Sequence, residues 1–324
     1  MHKYLNPKNY LRYLKNRSIQ LASTALQPVE KYLSKKYGEQ GIRKYPPVFI
    51  IGAPRCGSTL LYKIMTERYR FSFFSNFSAR FYRIPICGTW LQGKLGIKSG
   101  SGNYEFKYGN AFGLGAPHEC GEFWYQWFPK GLHVYIGPNL IDRGIVERLR
   151  WEIGGVSYVS GSPMVFKNLY NSMRIAPIVE AIPEAIFIVC RRNYTENALS
   201  ILKGRINNLR EKDTWWSLPP KEVDELLNKD CADQVAGQVY HIYRQIDEDK
   251  KLFGEDRFLE VSYEDFCSDV HVTLNAIENF LSQDGCKLES RWDVPNSFKS
   301  MHVDGIDPDD REKVTSAVHS FFNK

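Results

Sequence analysis

Residues 48–59 read VFIIGAPRCGST, and this stretch decides how the chain folds. Val48–Gly52 is a short continuous apolar run, which is typical of a strand buried on both faces of a parallel sheet. Gly57-Ser58-Thr59 then opens a segment whose apolar side chains recur at helical spacing. These side chains are Leu60, Leu61, Ile64, Met65 and Tyr69. The stretch therefore predicts a strand, a glycine-bearing turn and a helix.

The turn between this strand and this helix is suited to binding an anion. Backbone amides point outward at such a turn, and the helix N-terminus adds partial positive charge. The spacing from Gly52 to Gly57 matches the nucleotide-binding pattern GxxxxGK[ST], except that Ser58 stands in place of the lysine. That lysine neutralises the β and γ phosphates, so its absence argues against ATP or GTP hydrolysis. The positive charge lies instead on Arg55, inside the loop.

Strands and helices alternate again further along the chain. The strands are predicted at Met164–Lys167, Ala185–Cys190 and Phe258–Ser262. The helices are predicted at Ser172–Ala181, which Pro183 ends, from Arg192-Asn193-Tyr194 through Leu202, and at 232–252, 264–282 and 308–322. This alternation predicts an α/β chain, a three-layer P-loop-like fold with a central, mostly parallel sheet flanked by helices.

The predicted domain covers residues 46–324 and follows a basic helical segment at 1–45. Residues 70–162 are rich in glycine and aromatic residues and lack a clear period, and we interpret them as an insertion that shapes the acceptor site.

The loop Pro54-Arg55-Cys56-Gly57-Ser58-Thr59 resembles the 5'-phosphosulfate loop of sulfotransferases that use 3'-phosphoadenosine 5'-phosphosulfate (PAPS). The common form in that family is Pro, Lys or Arg, Ser, Gly, Thr, Thr, so Cys56 departs from the usual serine. Because the loop works mainly through its backbone and its basic side chain, this departure is mild. The resemblance, which is closest to bacterial and carbohydrate-type members, implies that these six residues bind PAPS.

A second signature lies in residues 186–200, IFIVCRRNYTENALS. In the same family an Arg at a strand end and a Ser eight residues later hold the 3'-phosphate, and Arg192 and Ser200 have that separation. Asn193-Tyr194 replaces the usual Asp-Pro. Phe166-Lys167-Asn168 and the stretch 261–266 resemble further family segments more weakly. The resemblance spans about residues 46–285.

The resemblance implies transfer of a sulfuryl group from PAPS to a hydroxyl or amine of a carbohydrate, glycolipid or small-molecule acceptor. The product of the donor is adenosine 3',5'-bisphosphate, and no metal is required. By analogy with phosphoryl transfer, Arg55 stabilises the leaving phosphate, and Lys167 either shares that task or is structural. Two alternatives stay open: a non-catalytic nucleotide-binding protein on the same fold, and a kinase with a degenerate P-loop.

Residues 116–128, APHECGEFWYQWF, hold the candidates for the catalytic base. His118 titrates near neutral pH and suits a base for a hydroxyl. Some family members use glutamate, so Glu119 and Glu122 also remain candidates. Glu122 takes the place of the second histidine of HExxH, which disfavours a zinc protease. The aromatic residues 124–128, and Trp215-Trp216, either line the acceptor site or pack in the core.

The amino-acid composition indicates which cellular compartment suits the protein and which kinds of site are not expected. The seven cysteines are scattered without a CxxC pair, so a disulfide framework or zinc site is not expected and a reducing compartment fits. Neither a signal peptide nor a membrane-spanning run is expected, and we predict a cytoplasmic protein.

Residues 1–45 hold ten Lys and Arg against two Glu, which leaves the rest of the chain with a net charge near −2 and argues against nucleic-acid binding. This segment is either a peripheral membrane contact or a solvated helix packed on the domain.

Overall fold

A four-stranded parallel sheet lies at the centre of the computed structural model, which describes residues 7–99, 106–107, 110–111, 113–283 and 285–323. The strands in these ranges are β1 Val48–Gly52, β2 Phe106–Lys107, β3 Asn110–Ala111, β4 Val165–Lys167, β5 Ile186–Arg191 and β6 Phe258–Ser262. The central sheet has the order β4-β1-β5-β6, while β2 and β3 form a separate antiparallel pair. The predicted parallel sheet is confirmed.

The α-helices within the same described ranges are α1 Pro7–Lys44, α2 Ser58–Arg68, α3 Pro85–Lys94, α4 Gly121–Trp124, α5 Arg143–Ser160, α6 Ile175–Ala181, α7 Tyr194–Leu209, α8 Val223–Leu227, α9 Cys231–Phe253, α10 Tyr263–Ser268, α11 Val270–Gln283 and α12 Pro308–Phe322. Short 3₁₀ helices occur at Ser78–Phe81, Leu169–Met173 and Glu255–Arg257. No helix in this part of the chain is both long and apolar enough to cross a bilayer.

Alternation along the strands builds three layers. Phe49, Ile51 and Phe187 face one apolar core, in which α5, α6, α7, α9 and α12 cover the sheet. Val48, Ile50 and the alternate residues of β5 face a second core beneath α2, α10 and α11. Both faces of the sheet are therefore buried, which explains why its strands read as continuous apolar runs.

Three predicted helices have different bounds in the structure. The segment predicted as a helix from Ser172 is a 3₁₀ turn up to Met173, and α6 starts only at Ile175. Pro177 lies in its first turn, where a missing N–H costs nothing, so a start at Ser172 would have placed this proline in a helix interior. The helix after Arg192 continues to Leu209, well past the predicted Leu202.

The helix predicted at 264–282 is also wrong, because it is two helices. The extended backbone of Asp269 separates α10 from α11, and its carboxylate accepts a hydrogen bond from the Val272 amide at 3.0 Å. An aspartate in this position caps a new helix rather than continuing the preceding one.

The second half of α1 belongs to the core of the molecule. Ile42 is fully buried, and α1 packs along α5 with backbones in close contact: a Cβ at Gly41 would lie 1.8 Å from the Gly154 carbonyl oxygen. Glu30 on α1 is also buried and accepts hydrogen bonds from the amides of Ile86 and Cys87 at the start of α3. The region 70–162 thus contributes α3 and α5 to the packing around α1.

Candidate active site

The carboxyl ends of the four parallel strands lie at one edge of the sheet. At this edge β1 ends at Gly52, β4 at Lys167, β5 at Arg191 and β6 at Ser262. Gly52 pairs with Cys190, and Arg191 pairs with Ser262. In open α/β sheets, ligands bind in the crevice outside these strand ends. The predicted site residues that follow β1, β4 and β5 are thereby gathered in one place.

The loop from β1 to α2 requires left-handed backbone at Gly57, where φ is 93°. A Cβ here would also lie 2.3 Å from the ring of Tyr263, so only glycine fits. Gly57 is the N-cap of α2, and because glycine has no side chain it makes no side-chain capping hydrogen bond. A helix N-terminus of this kind, with no side chain placed over it as a cap, is a place where an anion can bind.

The loop is held from below by polar side chains that come from distant parts of the chain. Ser172 Oγ accepts a hydrogen bond from the Gly52 amide and donates one to the Gly52 carbonyl, each at 3.0 Å. Asn197 on α7 donates to the Pro54 carbonyl, and Tyr243 on α9 donates to the Cys190 carbonyl at 2.9 Å. These contacts fix the loop backbone before any ligand arrives. The sequence analysis missed all three residues.

Cys56 packs beneath the loop and is fully buried. Burial raises the pKa of its thiol, but hydrogen bonds to Cys190 and Ser58 outweigh this effect and bring the pKa to about 7. Ser58 is buried, while Thr59 is partly exposed at the first turn of α2.

Arg55, Arg192 and Ser200 come together at this edge. Arg55 Nε donates to Ser200 Oγ at 3.2 Å, and Arg192 Nη1 donates to the Arg55 carbonyl at 3.2 Å. Arg192 and Ser200 are each 7% exposed, whereas the Arg55 side chain is exposed. A serine hydroxyl and two guanidinium groups thus converge on the loop, an arrangement suited to phosphate groups.

Arg192 is further enclosed by Tyr263 and by the segment 301–303. The Tyr263 ring lies 5.0 Å from the guanidinium, and the Met301 carbonyl accepts a hydrogen bond from Arg192 Nη2. The Met301 amide donates to the Tyr263 hydroxyl, and the Val303 amide donates to Glu196. The sequence analysis missed this segment, which lies more than one hundred residues after Arg192 and carries no pattern that would connect the two.

Lys167 and Glu119 form an ion pair beside the loop. Lys167 is only 5% exposed, so its ammonium group is held in a fixed position. Asn168 Nδ2 also lies 3.5 Å from the Glu119 carbonyl, which connects the end of β4 to the segment before α4. The structure therefore brings a buried cation and a carboxylate next to each other at the sheet edge.

His118 lies one residue earlier, with its side chain exposed. Its Nδ1 accepts a hydrogen bond from the Cys120 amide at 2.9 Å. A neutral imidazole whose Nδ1 is an acceptor carries its proton on Nε2. The ring then has no free lone pair with which to take a proton from an acceptor. Glu122 lies outside the pair, exposed on α4.

Most of the aromatic residues after Glu122 are core residues. Trp124 is fully buried, and Trp127 and Phe128 are 6% and 3% exposed. Tyr125 is only partly buried. Trp215 and Trp216 are partly buried against the larger core, where the Trp216 ring covers Gly204 so closely that a Cβ there would lie 2.3 Å away. The sequence left open whether these aromatic residues line the acceptor site or pack in the core. The structure shows core packing for all of them except Tyr125.

Among the described residues, no group of three or more His, Cys, Asp or Glu side chains is placed to hold a metal ion. None of the seven cysteines, which all lie in the described ranges, forms a disulfide.

Comparison with protein-family models finds a match over most of the chain. A family model described as the Sulfotransferase family matches residues 46–284, a range that contains Arg55, Lys167, Arg192 and Ser200. No curated protein sequence matches the chain.

Three sulfotransferase structures are similar to this chain. One from Mycobacterium avium has 11% identity and a TM-score of 0.48 over 87% of this chain and 69% of that chain. One from Alicyclobacillus acidocaldarius has 14% identity and a TM-score of 0.42 over 86% and 96%. The sulfotransferase domain of the olefin synthase from Synechococcus PCC 7002 has 16% identity and a TM-score of 0.40 over 74% of each chain.

Proposed function

Because this chain belongs to the sulfotransferase family, we propose that it transfers a sulfuryl group from PAPS to a hydroxyl or amine of an acceptor. The observation that carries the proposal is the convergence of Arg55, Arg192 and Ser200 on the loop after β1. Two adjoining sets of donors are what a nucleotide with a 5'-phosphosulfate and a 3'-phosphate requires. We assign the loop amides, the first turn of α2 and Arg55 to the 5' end, and Arg192 with Ser200 to the 3'-phosphate.

In the proposed reaction the acceptor oxygen or nitrogen attacks the sulfur in line with the bridging oxygen. A new bond to sulfur forms while the bond between sulfur and the bridging oxygen breaks, and adenosine 3',5'-bisphosphate leaves with the electron pair. Negative charge therefore grows on the leaving phosphate. Arg55 and the buried ammonium group of Lys167 are positioned at the sheet edge to stabilise that charge.

We assign the general base to Glu119. Its carboxylate is partly exposed and lies against Lys167, next to the place where the sulfuryl group would be held. A carboxylate keeps acceptor sites after it has formed one ion pair, so it can take the proton from the acceptor. His118 is the weaker candidate, because its Nδ1 already accepts the Cys120 amide proton. Glu122 is exposed on α4, outside the ion pair of Lys167 and Glu119, and is assigned a different role below.

The first experiment is thermal unfolding with adenosine 3',5'-bisphosphate and, separately, with ATP and magnesium. At about 100 times its dissociation constant a ligand adds roughly 2.7 kcal/mol of stability, which raises Tm by a few degrees. We expect this shift with the bisphosphate alone, because Ser58 replaces the lysine that ATP requires. A shift with ATP alone, or no shift with either, would overturn the donor assignment. Transfer of label from PAPS to an acceptor panel then separates an enzyme from a binding protein.

We also propose that the protein works in the cytoplasm and contacts anionic membrane through α1. Free cysteines fit a reducing compartment. On α1, Leu21, Val29 and Tyr32 are 67%, 46% and 61% exposed along the face away from α5. Lys31, Lys35 and Lys36 are exposed beside them. Apolar side chains flanked by lysines are typical of helices that lie on anionic bilayers.

A further inference from the structure

A cleft of about 590 Å³ opens between α1, the loop before α3, α4 and α5. This volume lies in the range of sites that bind small molecules. The cleft adjoins the candidate reaction centre, since Glu122 on α4 and Tyr125 directly after it follow Glu119 within six residues. The Tyr125 ring also meets the ring of Tyr170, three residues after Lys167, at 6.5 Å between centroids. The wall of the cleft is therefore connected to the two segments that carry Glu119 and Lys167.

Aromatic rings and hydrogen-bonding groups share the walls of this cleft. Tyr82, Tyr125 and Trp127 supply the rings. Trp127 is 6% exposed, and its Nε1 is buried without a hydrogen-bond partner in the described structure. Because this atom is enclosed by the protein, Trp127 offers the cleft only an edge of its ring, and Tyr82 and Tyr125 are the more exposed rings. Gln27 and Gln126 donate to the carbonyls of Arg83 and Tyr82, at 2.6 and 2.8 Å, and so hold the walls together.

Positive charge dominates the cleft. Arg83 and Arg148 line it, against the single carboxylate of Glu122. The two guanidinium groups lie 5.8 and 5.1 Å from the rings of Tyr82 and Trp127, and in the described structure neither is within ion-pair distance of a carboxylate. Guanidinium groups placed in this way are suited to bidentate binding of a carboxylate or sulfate.

A third cation lies behind the aromatic wall. Arg174 is fully buried among the rings of Tyr125, Phe128 and Tyr170, at 5.2–5.8 Å. One nitrogen donates to the Pro129 carbonyl at 3.0 Å, whereas Nε and Nη1 have no partner in the described structure. Burial lowers the pKa of Arg174 to about 10, which still leaves it charged at neutral pH. An uncompensated buried charge raises the positive potential around Tyr125.

From these features we infer that the cleft binds the acceptor, and that the acceptor is a sugar carrying a carboxylate or sulfate group. The inference rests on the proposed function. The C–H faces of the sugar stack on the rings of Tyr82 and Tyr125, while its hydroxyl groups bond to Glu122. The anionic substituent binds Arg83 or Arg148. A neutral sugar would leave the positive charge of the cleft without a partner.

The test compares two tetrasaccharides of equal length by calorimetric titration in the presence of adenosine 3',5'-bisphosphate. One is hyaluronan tetrasaccharide, which carries carboxylates, and the other is neutral chitotetraose. We expect the acidic sugar to bind about tenfold more tightly or better, and the double variant Arg83→Gln/Arg148→Gln to lose this preference while it still binds chitotetraose. Arg143→Gln, on α5 but outside the cleft lining, is the matched control and should keep the preference.

The outcomes separate the two proposals. A protein that binds the bisphosphate but binds both sugars equally, binds neither, or keeps its preference in the double variant overturns the inference and leaves the donor site standing. A protein that prefers the acidic sugar but does not bind the bisphosphate overturns the proposed function instead. Raising the salt concentration should weaken binding of hyaluronan tetrasaccharide and leave chitotetraose binding unchanged.

Discussion

Arg55 has left-handed backbone, with φ at 66°, which non-glycine residues rarely adopt. Such a conformation costs about 1 kcal/mol or more. Here it directs an exposed guanidinium toward Ser200 and the mouth of the loop. The conformation is thus maintained by the anchored backbone on either side, and the strain lies at the residue that we assign to the leaving phosphate.

The two arginines should therefore differ in their effect on kinetics. Arg55→Ala removes charge stabilisation that matters most in the transition state, so we expect kcat to fall by about 100-fold or more. Arg192→Ala removes a 3'-phosphate contact, so we expect mainly a rise of about tenfold or more in KM for PAPS and in Kd for the bisphosphate. Steady-state kinetics and equilibrium binding measure the two effects.

The matched control for these variants is Arg191→Ala. Arg191 is adjacent in sequence, but it pairs with Asp247 and Glu260 instead of facing the loop. It should change both kinetic constants little. Small and equal effects of Arg55→Ala and Arg192→Ala would contradict the division of roles.

The residues that the sequence reveals are those that follow a strand directly. Arg55 and Arg192 each stand at a strand-to-helix turn, where local pattern and spacing are legible. Ser172 and Asn197 hold the same loop through contacts over 120 and 143 residues, and no local pattern encodes such pairs. The same limit applies to the choice of base. The hydrogen bond from the Cys120 amide to His118 Nδ1 cannot be predicted from the sequence and is seen only in the structure.

At the scale of elements, the buried strands were predictable because apolar runs of four to six residues between turns have few other interpretations. The region 70–162 was not interpreted as helical, although Leu149, Ile153 and Val156 of α5 recur at helical spacing. What no local pattern shows is that α3 and α5 pack on α1. The Gly38 and Gly41 contacts with α5 illustrate this, since each glycine is needed only because another backbone lies against it.

The exposed face of α1 should bind vesicles of phosphatidylcholine with 30% phosphatidylserine, and vesicles of phosphatidylcholine alone much less. Lys31→Gln/Lys35→Gln/Lys36→Gln should reduce binding at least about tenfold, since each lysine contributes about 1 kcal/mol at an anionic surface. Sedimentation with the vesicles measures this. Point variants are required because deletion of α1 would also remove Ile42 and Glu30 from the core.

Equal binding to both kinds of vesicle would contradict the role of anionic lipid, and a lysine variant elsewhere on the molecule serves as the control. Lys250→Gln, which lies on α9 and pairs with Glu260, should leave vesicle binding unchanged. Unchanged sedimentation of the α1 variant would contradict the membrane contact while leaving the donor site unaffected.

At the scale of the whole molecule, Glu152 makes stability depend on pH. One of its carboxylate oxygens is buried without a hydrogen-bond partner in the described structure. Burial first, and then the charge of Glu30, raise the pKa of Glu152 from 4.5 to about 8, although Arg148 opposes the shift. The folded state thus holds this proton more tightly than the unfolded state. The stability that the protonated Glu152 side chain contributes is fully present below about pH 4.5 and is lost as the pH rises toward 8.

We therefore expect Glu152→Gln to be more stable than the unmodified protein at pH 8, with a difference that shrinks toward pH 5. Each pH unit within this window is worth up to about 1.4 kcal/mol. Urea denaturation at pH 5, 6.5 and 8 measures the free energy of unfolding. Glu147→Gln, exposed on the same helix, is the control and should show no such trend. A difference independent of pH would rule out titration of Glu152 as the cause.

The position of β1 in the middle of the sheet also affects how the protein must be made. Val48 pairs with Val165 on one side and with Ile186 on the other, so its second neighbour is synthesised roughly 140 residues later. At about 5–20 residues per second on the ribosome, this interval lasts about 7–28 s. For most of it, until β4 has been synthesised, the apolar run Val48–Ile51 has no strand partner. The nascent chain is consequently a natural client for chaperones, and its yield should depend on how quickly synthesis passes β5.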